Sequence, residues 1–225
     1  TEVDDPVVFT DYDVDMVVDD QGQMSAVETI TTAFYTTSRH GIFRYWDVAN
    51  QNDPRLRQKP DIESITLDGT PLHLNGAGIR SKVIFHVYAM GLYLPQPVTL
   101  AEAALTSPPP RAIRIQLLRD LSGATFADAL IEGLKQNQPQ EALTAYQASI
   151  DALRQAIVSH SEYKVNSVVL ISEDKNGTVH ITVQDKPLVE PIQQPGFFSL
   201  LLSIWLGPKP AQDSLKTELL KGSAS

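Results

Sequence analysis

The stretch Leu74–Leu94, LNGAGIRSKVIFHVYAMGLYL, constrains the fold of this chain more than any other. Residues 83–94 are dense in Val, Ile, Phe and Tyr, side chains that suit a pleated, half-buried surface, and the segment reads as a strand over Lys82–Leu94. Gly76 and Gly78 permit backbone angles and close approaches that a side chain would block, so Asn75-Gly76-Ala77-Gly78 reads as a tight turn into that strand. Val83, Phe85, Val87, Ala89 and Gly91 alternate with Ile84, His86, Tyr88, Met90 and Leu92, and Arg80 has the parity of the second set. Without a bulge, Arg80, His86, Tyr88 and Met90 share one face. A guanidinium and a phenol on one strand can hold an anionic or carbonyl group. The plainer reading has Arg80 paired with a surface carboxylate.

At 225 residues and 42% hydrophobic, the chain can bury one good core or two small ones, as a globular protein does. It has no Cys, which excludes disulfides, thiolate metal sites and cysteine nucleophiles. The longest apolar run, Phe197–Leu206, has ten residues, half of what a membrane span needs, and stops at Gly207-Pro208. It reads as a buried helix, so no membrane span is expected. No charged leader followed by an apolar core begins the chain, so the expectation is a cytoplasmic protein or one whose signal peptide has been removed.

Charge is concentrated at one end. Residues 1–38 hold nine acids and no Lys or Arg, which accounts for the whole net charge of −9, while residues 39–225 balance 18 acids against 18 bases. Nucleic acid is an unfit partner, because a polyanion needs a basic surface to displace its counterions. Within the acidic segment, Asp11, Asp13 and Asp15 alternate with Tyr12, Val14, Met16 and Val18. Asp19-Asp20-Gln21-Gly22 turns the chain and Ala26–Phe34 returns, giving a hairpin with a solvated acidic face. Calcium at the three aspartates is a sharper alternative, but side chains two apart on a strand are roughly 7 Å apart and do not converge.

A short strand is expected at Ile62–Leu67, and the remainder alternates in kind. A strand at Ile113–Leu118 leads to a helix over Thr125–Lys135, with Ser122 near its start and Phe126, Ala129, Leu130 and Leu134 at helical spacing. A second helix, Glu141–Ser159, carries the stripe Leu143, Tyr146, Ile150, Leu153 and Ile157, which reads as core. Strands Asn166–Ser172 and Thr178–Gln184 flank the turn Asp174-Lys175-Asn176-Gly177, and helices Gly196–Leu206 and Ala211–Lys221 follow. Strands grouped apart from helices predict an α+β architecture, an antiparallel sheet with helices on one face.

Other chemistry is poorly represented. His40, His73, His86, His160 and His180 show no metal-ligand spacing, so no metal is expected. Ser122-Gly123 lacks the flanking glycine of a nucleophile elbow, and no Gly-rich phosphate loop occurs, so no cofactor is expected. Arg119 and Asp120 read as a local pair at a turn.

Four segments in order, LNGAGIRSKVIFHVYAMGLYL, IRIQLLRDLSGATFADALIEGL, GTVHITVQDKPL and FFSLLLSIWLGPKPAQDSLKTELL, make residues 72–222 resemble the bacterial chalcone-isomerase-like family. Residues 7–72, with FTDYDVDMVVDDQGQ, RHGIFRYWDV, DPRLRQKP and ITLDGTPL, resemble the N-terminal extracytoplasmic β-domain of uncharacterised bacterial membrane proteins. The chain thus reads as a fusion near Asp68–Leu72, with an acidic β-rich region over 1–70 and a chalcone-isomerase-like domain over 71–225. Both families are usually exported, which implies an extracytoplasmic location.

The resemblance implies an open antiparallel sheet with a helical layer, and between them a cleft for a flavonoid-like or fatty ligand. Arg80 stands where the enzymes keep an arginine that activates an oxyanion. Tyr88 stands for a strand threonine, Leu117 for a lysine, Phe126 for a tyrosine and Gly133 for an asparagine. Four of five polar groups are replaced, and the enolate formed in ring closure needs a positioned donor. The pattern resembles the non-catalytic, fatty-acid-binding branch, in which an Arg and a Tyr hold the carboxylate. The ligand-binding set is then Arg80, Tyr88, Leu117, Phe126, Leu130, Phe198 and Ser199, with no catalytic residue. The alternatives are an intramolecular lyase of the chalcone-isomerase type and a ligand-free interaction module.

Overall fold

The computed structural model describes residues 7–18, 24–34, 64–67, 69–82, 85–160 and 162–222, the first two segments, residues 64–66 and Glu162 as backbone alone. The chain divides into two compact units, Thr1–Phe43 and Arg44–Ser225. In the first, β1 (Val7–Val18) pairs antiparallel with β2 (Met24–Phe34), with Asp15 opposite Val27 and a bulge between Phe9 and Asp11. This is the predicted hairpin. Its turn, the aspartate side chains invoked for calcium, and His40 lie outside the described residues.

The described part of the second unit starts with a meander, β3 (Ser64–Leu67), β4 (Thr70–Lys82) and β5 (Phe85–Leu94). After α1 (Ala101–Leu105) come β6 (Arg111–Leu117), β7 (Leu121–Ser122), α2 (Gly123–Asn137), α3 (Gln140–Ala145) and α4 (Gln147–Ser159). Then follow β8 (Glu162–Tyr163), β9 (Val168–Glu173), β10 (Val179–Val183), β11 (Lys186–Pro187), α5 (Phe197–Leu206) and α6 (Asp213–Leu219). Seven strands form one antiparallel sheet in the order β11-β10-β9-β6-β5-β4-β3. Residues 118–167 leave this sheet after β6 to build α2 to α4 and the small β7–β8 pair, then return as β9 beside β6. This is the α+β, open antiparallel sheet with a helical layer that the sequence predicts.

One face of the sheet supplies Met90, Leu92, Ile113, Ile115, Val169 and Ile171 to a core shared with α2, α4 and α5. The run Phe197–Leu206 is buried at every residue except Ser199, as an all-round apolar helix must be. On α2 the buried stripe is Gly123, Ala127, Leu130 and Leu134, with Phe126 half-buried; Ala129, predicted on this stripe, is exposed. Ser122 caps α2 by accepting from the Thr125 N–H at 3.1 Å. The predicted second helix is bent in two at Tyr146, whose hydroxyl reaches out to the Pro195 carbonyl at 2.7 Å, although backbone bonds to Ala142 and from Ile150 carry the ladder across.

The largest difference concerns Asn75-Gly76-Ala77-Gly78, which is the interior of β4 and not a turn. The reason is the close approach of α6. A Cβ at Gly76 would strike the Glu218 carbonyl, and one at Gly78 would lie 2.8 Å from the Glu218 side chain. Asn75, fully buried, locks this approach by donating to the Leu219 carbonyl at 2.7 Å and accepting from the Val98 N–H at 2.6 Å.

Candidate ligand site

Arg80 and Tyr88 lie on different strands, β4 and β5, and not on one. They are register partners, and Tyr88 is in turn the partner of Leu117 on β6. Directly opposed residues of antiparallel strands point to the same face, so Arg80, Tyr88 and Leu117 form one cross-strand row facing the helices. A bulge between Arg80 and Ser81 breaks the simple alternation. Beyond it, His86 is exposed and bonded to the Ser81 hydroxyl at 2.9 Å, away from Arg80's set.

The polar end of the row has a member that strand periodicity did not reveal. The indole N–H of Trp205, on α5 and 5% exposed, donates to the Tyr88 hydroxyl at 2.8 Å. Burial pushes the Tyr88 phenol above its ordinary pKa, against the opposing pull of the Trp205 hydrogen bond and of the charge and hydrogen bond of Arg80. The oxygen thus accepts from Trp205, with the Arg80 charge acting on it, while keeping its proton. A phenol has one proton to give, and no acceptor for it lies among the described residues. Half-buried Arg80 donates to the Ser81 carbonyl at 2.9 Å and reaches the Gln212 side-chain oxygen at 3.5 Å. No carboxylate among the described residues pairs with it, so the plainer expectation of a surface ion pair is not met.

The apolar members divide. Leu117, Leu130 and Phe198 are closed off from water, and half-buried Phe126 stands edge-on to Tyr163 at 5.1 Å between ring centres. Gly133 sits where α2 meets α5, and a Cβ there would lie 2.7 Å from Ile204. Phe198 and Ser199 belong to a separate polar centre. Arg111 and Glu173, both buried and directly opposed on β6 and β9, form an ion pair at 2.5 Å. The Arg111 guanidinium also donates to Ser199 at 3.1 Å and to the Leu105 carbonyl at 3.1 Å, and lies 4.7 Å over the Phe198 ring. Ser199 itself donates to the Leu105 carbonyl at 2.7 Å. The structure brings Arg80, Tyr88 and Leu117 together and leaves Ser199 bonded to Arg111.

Arg119 and Asp120 do not pair. Asp120 accepts from the Val165 N–H at 2.7 Å and holds Lys164 at 3.4 Å, while Arg119 lies 5.2 Å over the Phe85 ring. A groove of about 340 Å³ between α2 and α3–α4, floored by Leu134, Leu143 and Ile150, shares no residue with the Arg80 row. Among the described residues no group of three or more His, Asp or Glu side chains is placed to hold a metal, and no helix is long and apolar enough to cross a membrane.

The sequence profile of chalcone isomerase-like proteins matches residues 59–221. The chain belongs to the chalcone isomerase-like family. The family's match begins ahead of β3, so that strand and the whole seven-stranded sheet fall inside it. Among solved structures, a fatty-acid binding protein of Arabidopsis thaliana superposes with a TM-score of 0.53 at 14% identity, covering 71% of this chain and 96% of that one. At that identity the likeness is one of fold. No curated protein sequence matches the chain.

Proposed function

We propose that this chalcone isomerase-like protein binds a fatty acid or a similar amphiphilic carboxylate without transforming it, with Arg80 and Tyr88 as head-group ligands. One observation carries the reading: a half-buried guanidinium without a carboxylate partner faces a phenol whose proton has no acceptor among the described residues. Such a centre has donors to spare, and an ionised carboxylate supplies what it lacks, with Arg giving a two-pronged contact. The Trp205 N–H is already engaged by the Tyr88 oxygen and holds that phenol in place. Leu117, Phe126 and Leu130, members of the core against which Tyr88 packs, would supply the apolar lining, as ligand pockets ordinarily combine a few polar groups with apolar walls. The fatty-acid binding Arabidopsis protein of the same fold supports the reading.

The closed packing of Leu117 and Phe198 favours a second reading, a ligand-free interaction module. On the first reading the tail displaces packing that these side chains now have in the core, and Phe126 is the least enclosed of the proposed lining residues. The lyase reading keeps Arg80 and the Tyr88 hydroxyl but draws nothing from its other three positions, since Leu117 and Phe126 have no hydroxyl or amine and Gly133 has no room for a side chain beside Ile204. An extracytoplasmic location belongs to the same proposal and is checked by fractionation of the native host.

Palmitate binding measured by calorimetry decides between the two leading readings. Arg80→Ala is expected to weaken binding by tenfold or more, the order set by a lost charge-assisted bond of about 1.5–3 kcal/mol, with Tyr88→Phe in the same direction. Equal binding by wild type and Arg80→Ala overturns the proposal. Chalcone absorbance that decays faster than in buffer, and no faster in Arg80→Ala, would restore the lyase.

A further inference from the structure

The end of the sheet that holds Arg80 and Tyr88 also exposes apolar surface. Of the five large hydrophobic side chains left exposed among the described residues, Ile79, Phe85 and Val165 lie at this end, Phe85 at 56% and Val165 at 48%. They are linked. Phe85 is the register partner of Lys82 and lies under the Arg119 guanidinium, the neighbouring Asp120 accepts from the Val165 N–H, and the Leu118 N–H bonds the Val87 carbonyl. In sequence, Lys82 and Phe85 are separated by Val83-Ile84, and neither is a residue that two-residue hairpin links favour.

The same end is cationic. Arg80, Lys82, Arg119 and Lys164 outnumber Asp120 and Asp213, the latter next to Gln212, which bonds the Ser81 N–H at 2.8 Å. Arg80, Lys82 and Arg119 have no carboxylate partner among the described residues. This local excess lies within residues 39–225, whose 18 acids and 18 bases otherwise balance. A single exposed apolar residue is ordinary, but an exposed Phe framed by unpaired cations matches the two components of peripheral membrane binding, apolar insertion and attraction to anionic headgroups.

We propose that this edge, with Phe85 at its centre and Lys82 and Arg119 beside it, docks on an anionic lipid surface. The inference gains its purpose from the carboxylate reading of Arg80 and Tyr88: free amphiphiles partition into bilayers, and head-group ligands next to the docked edge would take up a ligand without its passage through water. The docking itself rests on the patch and is tested separately.

The test is flotation of the full-length chain with phosphatidylcholine vesicles, with and without phosphatidylglycerol. Binding is expected to need phosphatidylglycerol and to fall with salt. Lys82→Gln and Arg119→Gln are each expected to weaken it about fivefold, the order for one cation at an anionic surface. Phe85→Ser weakens it as well, and because these side chains are exposed the variants keep the wild-type circular dichroism spectrum and palmitate affinity. The proposal is overturned if the chain does not float with anionic vesicles, if the three variants float like wild type, or if polyglutamate captures the chain and vesicles do not. Failure of the Arg80→Ala palmitate test with flotation intact removes the head-group reading and leaves the docking surface standing.

Discussion

Gly133 and the Arg111–Glu173 pair show how much of this protein is decided by single contacts. At Gly133 the nearest Ile204 atom stands 2.7 Å from where a Cβ would be, closer than real Cβ contacts come. Gly133→Asn, which restores the side chain kept by the enzymes this chain resembles, is expected to destabilise by about 1–3 kcal/mol in urea denaturation, as overpacking does. A wild-type midpoint would show that α2 and α5 separate freely. Glu173→Gln leaves Arg111, 4% exposed, without its counter-charge, and should cost about 3–5 kcal/mol by the same measurement. Arg80 and Tyr88 were visible in the sequence as chemistry without a partner. Trp205 was not, because it lies 117 positions from Tyr88 and in an apolar run it reads as one more core residue.

Among the elements, those with a strong local signal were legible. The buried helix Phe197–Leu206, the capped start of α2 and the hairpin of β9 and β10 all appear where periodicity and turn residues put them. Asp174 closes the turn of that hairpin by accepting from the Asn176 and Thr178 N–H groups. Burial raises its pKa, but the bonds from Thr178, His180 and Asn176 together with the His180 charge outweigh this and leave it below the ordinary value. Ser122→Ala should lower stability by about 1 kcal/mol in thermal or urea unfolding, the usual worth of an N-cap, and no change would mean that the Thr125 N–H finds another acceptor. β4 was not legible. Its glycines carry the signature of a turn, and only the α6 backbone lying on them makes glycine a requirement of a strand interior.

For the molecule as a whole, the buried phenols set the alkaline limit. Burial pushes Tyr163 up to about 12, and Tyr88 and Tyr93 also rise, chiefly through burial. A raised folded-state value means that the neutral form is favoured by folding, so this stability is complete below about pH 10 and is lost as pH rises toward 12. Asp174 acts in the opposite sense, contributing above its ordinary value of 3.8 and losing that contribution in acid. Denaturation midpoints should therefore hold level near neutrality and fall above pH 10, less steeply in Tyr163→Phe; identical alkaline slopes would contradict this. The sequence by itself determined the period of each segment, the apolar helix that had to be buried and the residues able to hold an anion, because these follow from neighbours along the chain. The tertiary structure decided that Arg80 and Tyr88 face each other across two strands, that Trp205 joins them and that Ser199 instead serves Arg111. Those pairings depend on strand register and helix approach, which arise only when segments far apart in sequence compete to bury the same surface.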